Sequence, residues 1–376
     1  MSKLLNTALF AAIGALASMP AHASLLKKAS ENDVKFTAKH SQKDSSTNGQ
    51  ASTVQNVTMQ TTELAKFDKN LGVLTGVSVK LDSKYKQSTH VTVASTTNGN
   101  NPNGNFEAAG TGGGAVKMVL PGGQVAGAAS LTNVSDNCTG TKPKDACTGT
   151  ATQSSVDVDG PVAGTNLNAY VGTGNFSVDH VAVSNSANLT KNTFNGTATA
   201  SSDIDWTGFL NAEYSYLLHA AQSFSLDADQ NELTLDFGTL YIGDTFGGID
   251  YGIANRAGDR VGLRLTNIAG SGDTDMFSSG LSLFGNLGQG ASNQFSASFL
   301  GTQAGAYAAT YQLTLADVAP SVYASESLFT NHGLTLKLQA NLVQREEPVN
   351  DVPEPASLLL LGLGATAAGI ARRRKS

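Results

Sequence analysis

Beyond residue 24 the chain carries five histidines, His40, His90, His180, His219 and His332, the side chains best suited to proton transfer or zinc ligation near neutral pH. They are scattered, with no His-x-x-x-His or His-Glu pair, so the zinc-hydrolase pattern is missing. Ser177, Asp179 and His180 have the residue types of a hydrolytic triad. Neighbours on a strand point to opposite faces, however, and no Gly-x-Ser-x-Gly elbow occurs. His180 instead continues the Phe176/Val178 alternation and reads as a partly buried structural imidazole. Asp227, Asp229 and Asn231 start like a calcium loop with oxygen ligands at positions 1, 3 and 5. The sixth position is Glu232 where glycine is needed, and the twelfth is Gly238 where a bidentate glutamate is needed. A polar turn is the better reading. Asp157, Asp159, Asp273 and Asp275 could also give oxygen ligands, so a structural calcium ion is one use open to these acids, without a defined ligand set. No catalytic residue and no other cofactor is assigned. Cys138 and Cys147, the two cysteines, stand nine apart without His partners and outside a Cys-x-x-Cys spacing. A local disulfide is expected of them, worth roughly 2–3 kcal/mol in the chain-entropy model.

Other chemistry-bearing types read as structural. Trp206, the one tryptophan, and Tyr214, Tyr216, Tyr307 and Tyr311 are expected in the core. Gly112 to Gly114 and Gly172-Thr173-Gly174 lack the strand-to-helix context of a phosphate cradle. Asn56, Asn188 and Asn195 sit in Asn-x-Thr sequences, as chance allows in so Asn/Thr-rich a chain, and glycan attachment stays open at them. Setting aside Lys3 and four basic residues at the C-terminus, 19 basic side chains face 30 acidic ones. That balance excludes nucleic acid as a natural partner, because phosphate binding needs the opposite sign.

The two ends of the chain speak for export. Lys3 precedes an apolar stretch from Leu4 to Met19, and Ala21-His22-Ala23 has the small-x-small form cut by signal peptidase, making Ser24 the first mature residue. At the other end Pro353-Glu354-Pro355 opens a run of 17 uncharged residues to Ala371, followed by Arg372, Arg373, Arg374 and Lys375. As a helix the run would reach about 25 Å, marginal against a hydrocarbon core of about 30 Å. The basic cluster would stay on the cytoplasmic side and leave the rest of the protein across the membrane. A short motif, a weak span and a basic stop in this order resemble the PEP-CTERM sorting signal of Gram-negative bacteria. The resemblance implies handling by the membrane transpeptidase exosortase, transient residence in the inner membrane, and delivery to the outer envelope, cell surface or extracellular matrix, with exopolysaccharide as an associated partner.

The elements between the two ends are expected to be strands. Forty glycines and 14% charged residues do not suit a helical protein. Alternation appears at Val77, Val79 and Leu81, at Val91 and Val93, at Val116, Met118 and Leu120, and at Leu210, Ala212, Tyr214, Tyr216 and Leu218. Residues 94–114 read as a long Thr/Asn/Gly loop. Phe67-Asp68-x-x-Leu71-Gly72-x-Leu74-Thr75-Gly76-Val77, with Tyr170-Val171-Gly172-Thr173-Gly174 and a final Tyr-x-Tyr strand, resembles the choice-of-anchor E domain. The pattern restarts with Leu233, Leu235 and Phe237 and runs through Val261, Leu263 and Leu265 to Leu334, Leu336 and Leu338. That second half looks like the immunoglobulin-like choice-of-anchor D class. The expected architecture is all-β: two antiparallel β-sandwiches, immunoglobulin-like, between a signal peptide and a single transmembrane helix. The boundaries are 1–23 signal peptide, 24–50 flexible arm, 51–222 first sandwich, 223–346 second sandwich, 347–352 linker and 353–376 sorting signal. The expected role is a non-enzymatic exported surface or matrix protein, associated with exopolysaccharide or biofilm. The alternative is a secreted carbohydrate-binding or glycan-acting protein using loops at the sandwich ends.

Overall fold

The computed structural model describes residues 25–29, 33–45, 51–93, 106–140, 147–148, 152–193 and 197–346. Among them every regular element is a strand or a single 3-10 turn, so the all-β expectation holds. The first half contains β1 (Leu26–Ala29), β2 (Val34–Asp44), β3 (Ser52–Ala65), β4 (Val73–Val93), β5 (Phe106–Leu120), β6 (Gln124–Gly140), β7 (Cys147–Thr148), β8 (Thr152–Asp157), β9 (Gly160–Ala163), β10 (Asn175–Asn192) and β11 (Ala198–Leu217). They form two sheets. In one, β11 and β4 are the central strands, flanked by β1 and β2 on one side and by β7, β8 and β9 on the other; the second runs β3-β10-β5-β6. Phe36, Trp206, Ile204 and Leu210 from the first sheet share one buried core with Leu64, Met118, Phe176 and Val178 from the second.

Three expectations for this half are corrected. The described parts of the expected flexible arm, residues 25–29 and 33–45, are held in a sheet: β1 and β2 both pair with β11 in antiparallel register. The signal was diluted because the inward apolar residues of β2 stop at Val34, Phe36 and Ala38, and the outward positions between them are Lys35 and Thr37. The separate short strands expected at 77–81 and 91–93 are one strand of 21 residues, β4. Its inward positions 83, 87 and 89 are Ser, Gln and Thr, so an apolar count loses the alternation there while the backbone keeps it. Finally, Gly112 to Gly114 lie mid-strand in β5, not in a loop.

The glycines have a packing reason. A Cβ on Gly112 would stand 2.4 Å from Thr89 Oγ1 and 2.7 Å from Ser202 Oγ, and one on Gly114 would stand 2.6 Å from Gln87 Oε1. The sheets approach closely there around a buried polar belt. Tyr85 Oη donates to Gln87 Oε1 (2.8 Å), Gln87 Nε2 to Ser202 Oγ (2.6 Å), and Ser202 Oγ to Asn185 Oδ1 (2.8 Å). Each of these groups finds a partner, which is what makes polar burial tolerable. Beyond the belt a separate small apolar cluster forms from Val91, Val93, Phe106, Ala108, Cys138, Leu189, Ala198 and Ala200.

The second half contains β12 (Gln222–Ser223), β13 (Glu232–Tyr241), β14 (Ile249–Asn255), β15 (Gly262–Gly272), β16 (Phe277–Ser278), β17 (Phe284–Leu287), β18 (Ala291–Phe299), β19 (Gly305–Val318) and β20 (His332–Val343). One sheet is ordered β12-β14-β18-β16 and the other β13-β20-β19-β15-β17. Both contribute to a second core that includes Ile253, Ala297 and Phe299 with Leu263, Leu313, Leu315 and Leu336. The expected all-antiparallel pairing fails at one edge, where β13 runs parallel to β20. Parallel neighbours need a long crossover, and the chain from 242 to 331 provides it by building the rest of this half.

Candidate functional site

The two halves meet at a buried acid. Asp317, near the end of β19, has no exposed side-chain surface and accepts four hydrogen bonds. His219 Nδ1 lies 2.8 Å from Oδ2 and His332 Nε2 3.0 Å from Oδ1; the Ala220 and Phe329 amides donate at 3.0 and 2.9 Å. Burial by itself would raise the carboxyl pKa, but the bonds from His219, His332 and the two amides outweigh it and hold the group well below the usual carboxylate range. His219 Nε2 lies 2.6 Å from the carbonyl oxygen of Lys69, which belongs to the first half. Both ring nitrogens of His219 thus lie within hydrogen-bond reach of oxygens. Phe329 packs edge-on against His219 at 4.5 Å between centroids.

Around this acid the halves interlock. Leu74 N donates to Ser327 Oγ (3.1 Å), Ala324 N to Leu74 O (2.8 Å), and Asn168 Nδ2 to Ser325 Oγ (3.0 Å). Val73 from β4 is part of the second core, and Ala324 is part of the first. An Asp-His pair is also the skeleton of a hydrolytic dyad. Here the nitrogen that would face a nucleophile is occupied by a main-chain carbonyl, so the geometry clamps two bodies together and activates no hydroxyl.

The residues singled out from the sequence fall in different places. His180 is fully buried, stacked on Phe36 at 3.9 Å and edge-on to Trp206 at 5.2 Å, with Nε2 3.0 Å from Thr62 Oγ1. Burial pushes its pKa down to about 4, against a smaller upward pull from Asp179. Asp179 and Ser177 face the other side of the sheet, where they bond Thr61 and Glu63, so no triad assembles. Trp206 is buried and donates from Nε1 to Ser83 Oγ at 2.9 Å. The Asp227–Asn231 stretch is a turn organised by Ser223, whose hydroxyl accepts from the Ser225 and Gln230 amides and donates to the Ala228 carbonyl. Asp159 caps the Ser83 amide and Asp273 the Ala308 amide. Among the described residues no three His, Cys, Asp or Glu side chains converge as a metal site.

Cys138 is buried near the end of β6, and Cys147 opens β7, which pairs with the end of β4. The residues expected at signal cleavage, Ala21, Ala23 and Ser24, the motif Pro353, Glu354 and Pro355, and the basic residues Arg372 to Lys375 lie outside the described residues, as do Asn195 and the expected linker 347–352. Among the described residues no helix is long and apolar enough to cross a membrane. The cluster of His219, Asp317 and His332 was missed in the sequence. His219 stands 98 positions before Asp317 and His332 another 15 after it, and only the acid at 317, set in the otherwise apolar alternation of β19, offered a signal.

No curated protein matches the chain. Among solved structures it is similar to the PapD-like domain 7 of human CEP192, at 16% identity over 30% of this chain and 82% of that one, with a TM-score of 0.22. It is also similar to WR4, a C. elegans MSP family member (10% identity, 27% and 91% coverage, TM-score 0.19), and to the Vibrio cholerae VesB protease (8%, 66% and 99%, TM-score 0.21). No role is transferred from likenesses this distant. The C-terminal residues 351–375 match the PEP-CTERM protein-sorting motif, which marks the chain as an exported protein sorted at the membrane by exosortase.

Proposed function

We propose that this is a non-enzymatic surface or extracellular-matrix protein, delivered through its PEP-CTERM tail and associated with exopolysaccharide or biofilm once outside. The observation that carries the reading is the motif match over 351–375, with Pro353-Glu354-Pro355 as the recognised sequence and Arg372 to Lys375 as the cytoplasmic stop. Signal peptidase acts first, after Ala23, and the apolar run from Pro355 holds the protein in the inner membrane until exosortase acts. The two pairs of sheets are the delivered cargo, an immunoglobulin-like pair of sandwiches of the choice-of-anchor E and D kinds. The occupied imidazole nitrogen at Asp317 supports a cargo without catalysis. A bond between Cys138 and Cys147 would pin β7 beside the small apolar cluster; no free thiol is found among the described cysteines.

Replacing Pro353, Glu354 and Pro355 by alanine should leave the protein unprocessed in the inner membrane. Unchanged processing and surface delivery of that variant would overturn the sorting reading. Intact-mass measurement of the surface form reads both cleavage points and the disulfide together. Hydrolysis of any member of a glycan and ester panel by the purified protein would overturn the non-enzymatic reading.

A further inference from the structure

Arginine is absent from the chain before residue 256 and then occurs three times in nine positions, at Arg256, Arg260 and Arg264. From 223 to 346 there are five Lys and Arg side chains against twelve Asp and Glu, so acidic partners are in excess. The other two cations each take one: Lys337 bonds Glu232 at 2.5 Å and Arg345 bonds Asp244 at 3.0 Å. Arg256 and Arg260 form no ion pair among the described residues, although both are half-buried.

The two stand at either end of the loop that leaves β14, and that loop is fastened to the segment joining the halves. Arg256 N donates to the Ala221 carbonyl at 2.9 Å, Leu218 N to the Asp259 carbonyl at 2.8 Å, and Val261 N to the Leu218 carbonyl at 2.9 Å. Arg260 is held in place by its own guanidinium, which donates from Nη1 to the His219 carbonyl at 3.0 Å and from Nε to the Ala257 carbonyl at 3.4 Å. Arg256 Nε is shut off from solvent and has no hydrogen-bond partner among the described residues. Burial, and then the like charge of Arg256, press the pKa of Arg260 below its ordinary value, so the two guanidiniums feel each other. Two half-desolvated cations side by side, one with an unused buried donor, cost stability unless an anion joins them.

We infer that Arg256 and Arg260 form a binding site for a phosphate group at the seam between the halves. A carboxylate has two oxygens on one edge and fills one guanidinium fork. A phosphate monoester carries close to two charges and three free oxygens, so it takes donors from both arginines at once. Arg260, fixed by two carbonyls, is the preset half of the site, and Arg256 supplies the free fork. The bound group would tie the 256–260 loop into one charge-neutral unit on the 218–221 segment, next to the His219 and Asp317 contact, so it should strengthen the docking of the halves. The proposal goes beyond the sorting reading: the tail delivers the protein, and this site gives the delivered protein a ligand that sets the firmness of its junction.

The test is isothermal titration of the full chain, purified in detergent at fixed ionic strength, with inorganic phosphate, glycerol 3-phosphate, acetate and micelle-borne phosphatidate as probes. Binding of the two soluble phosphates assigns the site to a free ligand, and binding of phosphatidate alone assigns it to a lipid headgroup. Arg256→Gln should weaken the binding by about tenfold or more, the loss usual for a charged hydrogen-bonding partner, and Arg256→Lys, which keeps the charge without the fork, should weaken it less. Arg264→Gln, exposed on β15, should bind as the parent does. Phosphate stabilises many proteins simply by being excluded from their surface, so thermal melts are compared between proteins. The parent should gain more from phosphate than Arg256→Gln does, and without phosphate the variant should melt no lower than the parent. No binding of any phosphate probe, binding indifferent to Arg256→Gln, or a lower melt of that variant without phosphate would overturn the proposal. Equal affinity for acetate would overturn the ligand class.

Discussion

His219 Nδ1 and Asp317 Oδ2 are 2.8 Å apart, and the same imidazole reaches the Lys69 carbonyl with its other nitrogen. One side chain thus ties the buried acid of the second half to the first. His332 and two main-chain amides complete the shell, so every lone-pair direction of the carboxylate is in use. The halves are held by hydrogen bonds arranged around a fully buried carboxylate.

Removing the acid leaves four donors facing a void. Asp317→Ala should destabilise the protein by roughly 3–5 kcal/mol, the range for breaking a buried charged pair by deleting one partner. Asp317→Asn keeps the shape and one acceptor and should cost less. Urea melts read both values, and a loss below about 1 kcal/mol for the alanine variant would mean that the shell is not carrying the junction.

Stability should fall in acid in two stages. The pKa of His180 is lowered to about 4 in the folded state, against 6.5 for an ordinary imidazole, so between those values the unfolded chain binds a proton that the folded chain does not. Stability therefore rises with pH across that window, by at most about 3 kcal/mol. Asp317 has a depressed folded pKa, so its contribution is complete above the ordinary carboxylate range and drains away as pH falls below it. His180→Gln should flatten the first stage and Asp317→Asn the second, in melts taken from pH 7.5 down to 3.

Trp206 reports on its own half, being the one tryptophan and fully buried. Its Nε1 donates to Ser83 Oγ, which itself donates to the Val158 carbonyl at 2.7 Å. Ser83→Ala strands both groups and should cost about 1–3 kcal/mol. Tryptophan emission, blue-shifted in the native state, should show the loss as an earlier red shift in denaturant.

Gly112→Ala puts a methyl group within 3 Å of Thr89 and Ser202 and should cost roughly 1–3 kcal/mol by overpacking. Gly76→Ala is the control: the nearest atom, Ser215 Cβ, stands 3.6 Å away, and the change should be close to neutral. Thermal melts of the pair compare them directly.

Much of the inward face could be read in advance wherever apolar residues mark it. Val77, Val79, Leu81, Val116, Met118 and Leu120 are all buried as their alternation indicates. The reading failed where inward residues are polar or absent. Ser83, Gln87 and Thr89 interrupt the apolar count along β4, and Gly110, Gly112 and Gly114 look like a loop until the facing side chains that require them are in place. The outward ring of β11 gave no sign either. Phe209 in a strand reads as core by type, and only the sheet shows that its position faces outward.

The sequence by itself determined the C-terminal sorting motif and the class: a PEP-CTERM motif is a local string that is read as a string, and strand alternation is a property of neighbouring residues. Only the tertiary structure decided which distant positions share a row or a shell. Lys35, Phe209 and Asp82 become neighbours through the register of three strands, and His219, Asp317 and His332 through the docking of two halves. Pairing and docking depend on burial summed over whole sheets, and that sum is not written in any one stretch of the chain.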